Sequence, residues 1–356
     1  MENKSLSEDL ERFSAQKIGK RRIFISGIAG FLGSHLADSM LSLGHEVVGN
    51  DTLIGGYKDN VPAKAEFHLI DSNDLPAMKR ISKGANIIYD CAAIACEGLS
   101  VFSPALINRN VYMSSLTLMT AAAHNKVRRY VYCSSMARYG DLKRVPFTED
   151  MECQPYDPYG LGKYAAELQL RMLSEVHGFE PVIAVPHNII GPRQKYDDPY
   201  RNVASIMINL MLQGRQPIIY GDGDQKRCFS FIQDVTGCLV KMGFQENVVG
   251  EAINIGPDEE DSYVTVNKLA AEIADILNFD LHPVYLPDRP REVRYAHCSA
   301  DKARRLLGYK TQTTLREGLS QMIERVKARG PKPFEYHLEI EIDSDKTPAA
   351  WKNRLF

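Results

Sequence analysis

The sequence predicts an α/β fold: a doubly wound parallel sheet with a smaller α/β region toward the C-terminus. Three observations predict it. Short apolar runs at 22–26, 46–49, 67–71, 86–93, 130–133 and 181–185 alternate with stretches able to form crossover helices. The first run passes directly into Gly27-Ile28-Ala29-Gly30-Phe31-Leu32-Gly33, and an amphipathic stretch from Ser34 to Leu43 follows. The fifth run ends in Ser134-Ser135, and downstream stand Tyr159 and Lys163, spaced to share one face of a helix.

The first twenty residues are polar, with Leu6, Leu10 and Phe13 at roughly helical spacing, and read as a frayed or docked helix without chemistry. Arg22–Ser26 is the first strand. Strand, G-x-x-G-x-x-G and helix form a Rossmann-type dinucleotide turn: glycine permits the tight turn, lets backbone approach a pyrophosphate and packs helix on strand. Gly27, Ala29, Gly30, Phe31, Leu32 and Gly33 are therefore assigned to the cofactor. The second strand ends at Asp51, whose carboxylate can accept from the adenosine ribose hydroxyls and repels a 2′-phosphate. No Arg follows closely in the chain, which favours NAD over NADP.

The third strand ends at Asp71, placed to hold the adenine amino group, and the fourth delivers small residues, among them Ala92, along the cofactor. A long helix is predicted from Pro104 to His124, carrying Asn110, also assigned to the cofactor site. The fifth strand presents Ser135 at its C-terminal end, where open α/β sheets bind ligands. A helix over Pro155–His177 carries Tyr159 and Lys163, with Leu161, Ala165, Leu168 and Met172 as its expected apolar stripe. Lys163 is expected to pull the phenol below its ordinary pKa of about 10, which would suit proton transfer near neutrality. Beyond Gly191 the alternation loosens and Pro, Gly, Asp and Arg increase.

Composition narrows the function classes. A net charge of −2 offers no attraction for nucleic acid or an anionic membrane. No apolar run is long enough to span a bilayer, and the N-terminus has no apolar signal core, so cytoplasm is expected. The 7 cysteines contain no C-x-x-C pair and the 9 histidines no H-x-x-x-H, so neither a disulfide framework nor a metal site is expected.

From about Arg22 to Ala328 the chain resembles the extended short-chain dehydrogenase/reductase family, specifically its nucleotide-sugar epimerases of the UDP-glucose 4-epimerase type. The resemblance is carried by the glycine turn, Ser134-Ser135 before Tyr139-Gly140, Tyr159 with Lys163, Asn188-Ile189-Ile190-Gly191-Pro192-Arg193-Gln194, Tyr220 to Arg227, Asn254-Ile255-Gly256 and Arg289-Pro290-Arg291-Glu292. It implies that Ser135 positions the sugar, Tyr159 is the acid/base, and Lys163 holds the nicotinamide ribose of NAD. It also implies that Asn188, Arg227 and Arg289 bind the nucleotide diphosphate, a task for which the arginine fork is suited.

The implied division is an extension over 1–20, an NAD-binding Rossmann domain with the Ser/Tyr/Lys set over 21–190, and an interleaved nucleotide-sugar region over 191–330. A charged tail over 331–356 is expected to cross the surface or reach a partner subunit. A homodimer built on the helices at Pro104–His124 and Pro155–His177 is implied as well.

Reaction type is read from two positions after Ser135. Relatives that dehydrate carry Asp-Glu there, decarboxylating relatives a Glu at the second position, and 3,5-epimerising relatives a Cys. This chain has Met136 and Ala137. The chain also departs from the family at Asp90, where an acid near the pyrophosphate needs a partner, and at Val185 and Ile190. The expected activity is NAD-dependent 4-epimerisation of a nucleotide-activated hexose, with a net 4-dehydrogenase and a non-catalytic nucleotide-sugar or NAD sensor as alternatives. Release of NADH would mark the dehydrogenase, and the intact Ser135, Tyr159 and Lys163 set argues against the sensor.

Overall fold

The computed structural model describes residues 8–259 and 262–356. Its central sheet contains β1 (Arg22–Ser26), β2 (Glu46–Asp51), β3 (Glu66–Leu69), β4 (Ile87–Asp90), β5 (Arg129–Cys133), β6 (Glu180–Pro186) and β7 (Ala252–Ile255). Their spatial order is β7-β6-β5-β4-β1-β2-β3, and every neighbouring pair is parallel. The order reverses between β1 and β4, which opens a crevice at their C-terminal ends. β4 and β5 are buried along their whole length, as strands covered on both faces must be.

Alternation along β1 sends Ile23 and Ile25 into one core layer and Phe24 into the other. The first layer is closed by α1 (Phe31–Ser42), through Leu36 and Met40, and by α4 (Ile232–Phe244), through Val235 and Leu239. The second is closed by α2 (Ser114–His124), through Leu118 and Met119, and α3 (Pro158–His177), through Ala166 and Leu170. A third cluster forms where the helices Val203–Leu212, Val266–Leu277 and Leu315–Arg329 pack together beside the crevice.

Several sequence expectations need correction. The predicted 104–124 helix is interrupted: an α-helical Pro104–Asn108 passes through a π-helical Arg109–Met113 before α2. α3 starts at Pro158 because Asp157 caps it, accepting from Gly160 N at 2.9 Å. The expected apolar stripe of α3 faces outward: Leu161, Leu168 and Met172 are 58%, 41% and 57% exposed, as is Val176 at 77%. The buried face instead contains Tyr159, Lys163, Ala166, Glu167 and Leu170. Polar residues can occupy it because they are paired inside; Glu167 takes an ion pair from Arg138 at 2.9 Å and a hydrogen bond from Ser134.

The N-terminal segment docks, since Leu10 and Phe13 are buried and Phe13 stacks on Phe244 at 5.5 Å. Leu6 lies outside the described residues. The tail runs back over the cavity: Leu338, Ala350 and Trp351 are buried with Leu99, Phe102 and Tyr200. Glu341 caps the Pro104 helix by accepting from Ala105 N and Leu106 N at 2.9 and 2.8 Å. Among the described residues no helix is long and apolar enough to cross a membrane, and no group of His, Cys, Asp or Glu is arranged to hold a metal ion.

Candidate active site

A cavity of about 440 Å³ opens at the crevice, and every predicted site residue except Ala29 lines it. Its floor is the glycine turn. Gly27 has φ +69°, and a Cβ there would come within 2.9 Å of Ala92 Cα, so strand end and turn are in backbone contact. Gly33 leaves no room for a side chain against the Gly27 carbonyl. The Ser26 hydroxyl accepts from Ala92 N at 3.0 Å, which fixes the β4 end beside the turn.

Asp51 accepts from Ala29 N at 3.0 Å and Leu53 N at 2.7 Å, which explains why Ala29 contributes through its backbone. Burial raises the Asp51 pKa, and these two N–H groups oppose the shift. Each carboxylate oxygen keeps a free acceptor direction for a ribose hydroxyl. These residues fit a bound dinucleotide. Asp71, expected to hold the adenine, lines the cavity and is paired loosely with Arg109 at 3.7 Å. Asn110 lies in the π-helical segment and donates to Leu106 O at 2.9 Å.

Asp90 is turned into the sheet. It accepts from Ser26 Oγ and from the Tyr130 hydroxyl, both at 2.8 Å, so the acid that departs from the family pattern is paired.

Tyr159 is 5% exposed, and Ser135 faces its phenol and favours the ionised form. The expected depression of the phenol pKa is not found. Burial pushes it well above the usual value, and the Glu97 carboxylate pushes it further. Lys163 lies 6.0 Å from the ring centre and donates from Nζ to Cys133 O at 2.8 Å. Its own pKa is lowered by burial, with Asp90 opposing. Desolvation of the phenol therefore outweighs the ammonium in the free protein.

Arg227 and Arg289 line the same cavity and share one acid: Arg227 Nη2 lies 3.1 Å from Glu292 Oε1, and Arg289 lies 3.0 and 2.6 Å from Oε2. Asn188, held at φ 32°, donates to Cys228 O at 3.2 Å and borders the same cavity.

Several lining groups escaped the sequence reading, among them Arg201, Glu97 and Phe356. Arg201 comes from far along the chain to influence Asp51 and is anchored by Asp198 at 2.9 Å. Glu97 follows β4 and faces the cavity, and Phe356 brings the tail to its wall. Of these three, only Glu97 had a local signal, its place a few residues beyond the fourth strand.

Fold and site together define a Rossmann-type dinucleotide cavity with a Ser/Tyr/Lys set at its wall. The chain belongs to the NAD dependent epimerase/dehydratase family, whose sequence profile matches residues 23–256. It is 31% identical over 311 residues to a putative UDP-glucose 4-epimerase of Methanocaldococcus jannaschii, covering 86% of this chain and 98% of that one. UDP-glucose 4-epimerase of Thermotoga maritima, solved with UDP-glucose, superposes with a TM-score of 0.81 at 29% identity, covering 86% of this chain and 99% of that one. UDP-glucuronic acid 4-epimerase of Bacillus cereus, solved with UDP-glucuronic acid and NAD, superposes at 0.79 with 26% identity, covering 87% and 100%.

Proposed function

We propose that this protein is an NAD-dependent 4-epimerase of a nucleotide-activated hexose, a UDP-hexose, acting through a transient 4-keto sugar. The observation that carries the reading is the convergence of Ser135, Tyr159 and Lys163 on one cavity that is also lined by Asn188, Arg227 and Arg289. NAD supplies the hydride acceptor for C4. Tyr159 takes the C4 hydroxyl proton and later returns it, Ser135 orients that hydroxyl, and Lys163 fixes the nicotinamide ribose. The two arginines hold the diphosphate while the keto sugar turns its other face. Met136 and Ala137 offer no acid/base pair for expelling a hydroxyl.

The outward Leu161, Leu168, Met172 and Val176, together with Met113 at 46% exposure, support a homodimer packed through α3 and the preceding helix.

Incubation with matched UDP- and GDP-hexoses tests the activity. The expected result is C4 epimer formed without added NAD and without accumulating NADH. Stoichiometric NADH with no epimer would replace this reading by the dehydrogenase.

A further inference from the structure

Asp51, Asp71 and Glu292 each have a hydrogen-bonded or ionic partner. Glu97 is the one carboxyl group lining the cavity that has none among the described residues. It opens the short helix Glu97–Ser100, whose Ser100 hydroxyl donates to the Glu97 carbonyl oxygen at 2.6 Å and reaches Asp157 Oδ1 at 3.4 Å. The side chain is accessible from the cavity, where it shares the wall with Tyr159 and Ser135. It also borders a small recess with Ala137, Asn188 and Asp157.

The acid/base phenol must stand at the reacting carbon, so Glu97, whose charge acts on Tyr159 and which also senses Arg227 and Arg289, stands within reach of the sugar, between the phenol and the arginine pair. Neither nearby cation is ion-paired with it: Arg227 and Arg289 both bind Glu292 and act on Glu97 only at a distance.

We propose that Glu97 is a specificity-determining residue of the sugar subsite, selecting neutral or amino hexosyl groups, whose hydroxyl or ammonium protons it accepts, and rejecting hexuronyl groups. The inference rests on the proposed placement of the sugar against Tyr159. An unpaired carboxylate in a cavity wall gains charge-assisted hydrogen bonds from donors, whereas a second carboxylate placed against it adds like-charge repulsion. The fold itself does not exclude uronates, since the Bacillus cereus relative is solved with UDP-glucuronic acid. The selection is pH-dependent. Burial raises Glu97 to about 7; Asp157 and Glu292 push in the same direction, and Arg227 and Arg289 oppose. The neighbouring Tyr159 phenol stays neutral through this range.

Calorimetric titration of the NAD-loaded protein with UDP-glucose and UDP-glucuronic acid, at pH 6 and pH 8, tests the assignment. A parallel arm uses GDP-mannose and GDP-mannuronic acid. The wild type is expected to bind the neutral sugar roughly 10–100-fold more tightly, with the wider gap at pH 8. Glu97→Gln, close to isosteric, should narrow the gap to a few-fold and remove its pH dependence; Glu97→Ala should act in the same direction. Equal binding of both sugars, tighter binding of the uronate, a gap that survives both substitutions, or no binding of any of the four would overturn it. Failure of the epimerase reading would appear separately, as bound sugar that yields no C4 epimer.

Discussion

Lys163 donates to the Cys133 carbonyl oxygen at 2.8 Å and stands 6.0 Å from the centre of the Tyr159 ring. The ammonium thus anchors to the strand end and leaves the phenol protonated in the free protein. Difference absorbance between wild type and Tyr159→Phe should show no phenolate step below pH of about 10 in cofactor-free protein. A step near neutrality would contradict the geometry. In the loaded enzyme, Tyr159→Phe should lower turnover by ~10²–10⁴-fold, the usual contribution of a positioned proton transfer.

Asp51 is held by two backbone N–H groups at the end of β2, aimed into the cavity. Asp51→Ala should weaken NAD by roughly 10–100-fold, the worth of hydrogen bonds to a charged group, while NADP binding changes little or improves. Fluorescence titration with both dinucleotides measures this, and equal losses for the two would count against the assignment.

The exposed stripe on α3 makes the assembly testable. Light scattering at micromolar concentration should report a dimer, and Leu168→Glu with Met172→Glu should convert it to monomer, since a charge pair buried at an apolar seam is strongly unfavourable. An unaltered dimer in the double variant would move the interface elsewhere.

Asp90 serves two buried hydroxyls, Ser26 and Tyr130. Asp90→Ala strands both donors and should cost about 1–3 kcal/mol for each group left unpaired. Urea denaturation reads the loss directly; a change below about 0.5 kcal/mol would mean that water replaces the carboxylate.

His35 and His187 are both held neutral by burial, with pKa lowered to about 4 and about 3. The unfolded chain takes up these protons below about 6.5, the folded one only near the lower values. Stability contributed by the neutral forms is therefore complete above about 6.5 and declines as pH falls, by up to about 1.4 kcal/mol per unit for each histidine. Melting temperature should drop from pH 7 to pH 5, and His35→Gln, which keeps a donor for the Pro192 carbonyl that His35 meets at 2.9 Å, should reduce the slope.

By itself the sequence determined what depends on neighbours along the chain. β1, β2, β4 and β5 follow from local apolar runs, the glycine turn from steric demands at consecutive residues, and the shared face of Tyr159 and Lys163 from helical spacing. The side of α3 that is buried was not legible, because periodicity assigns Leu161, Leu168 and Met172 to a core. Only tertiary pairing shows that Glu167 and Lys163 can be satisfied inside. The phenol's acidity was misjudged for a related reason: spacing supplies the nearby ammonium but not the desolvation, which depends on everything packed around Tyr159. Arg201, Glu97 and Phe356 belong to the cavity because separate segments fold back onto it. For Arg201 and Phe356 that proximity is set by long-range closure of the chain around the sheet, which no local pattern encodes; for Glu97 the position just beyond β4 was a local signal, but its approach to Tyr159 was not.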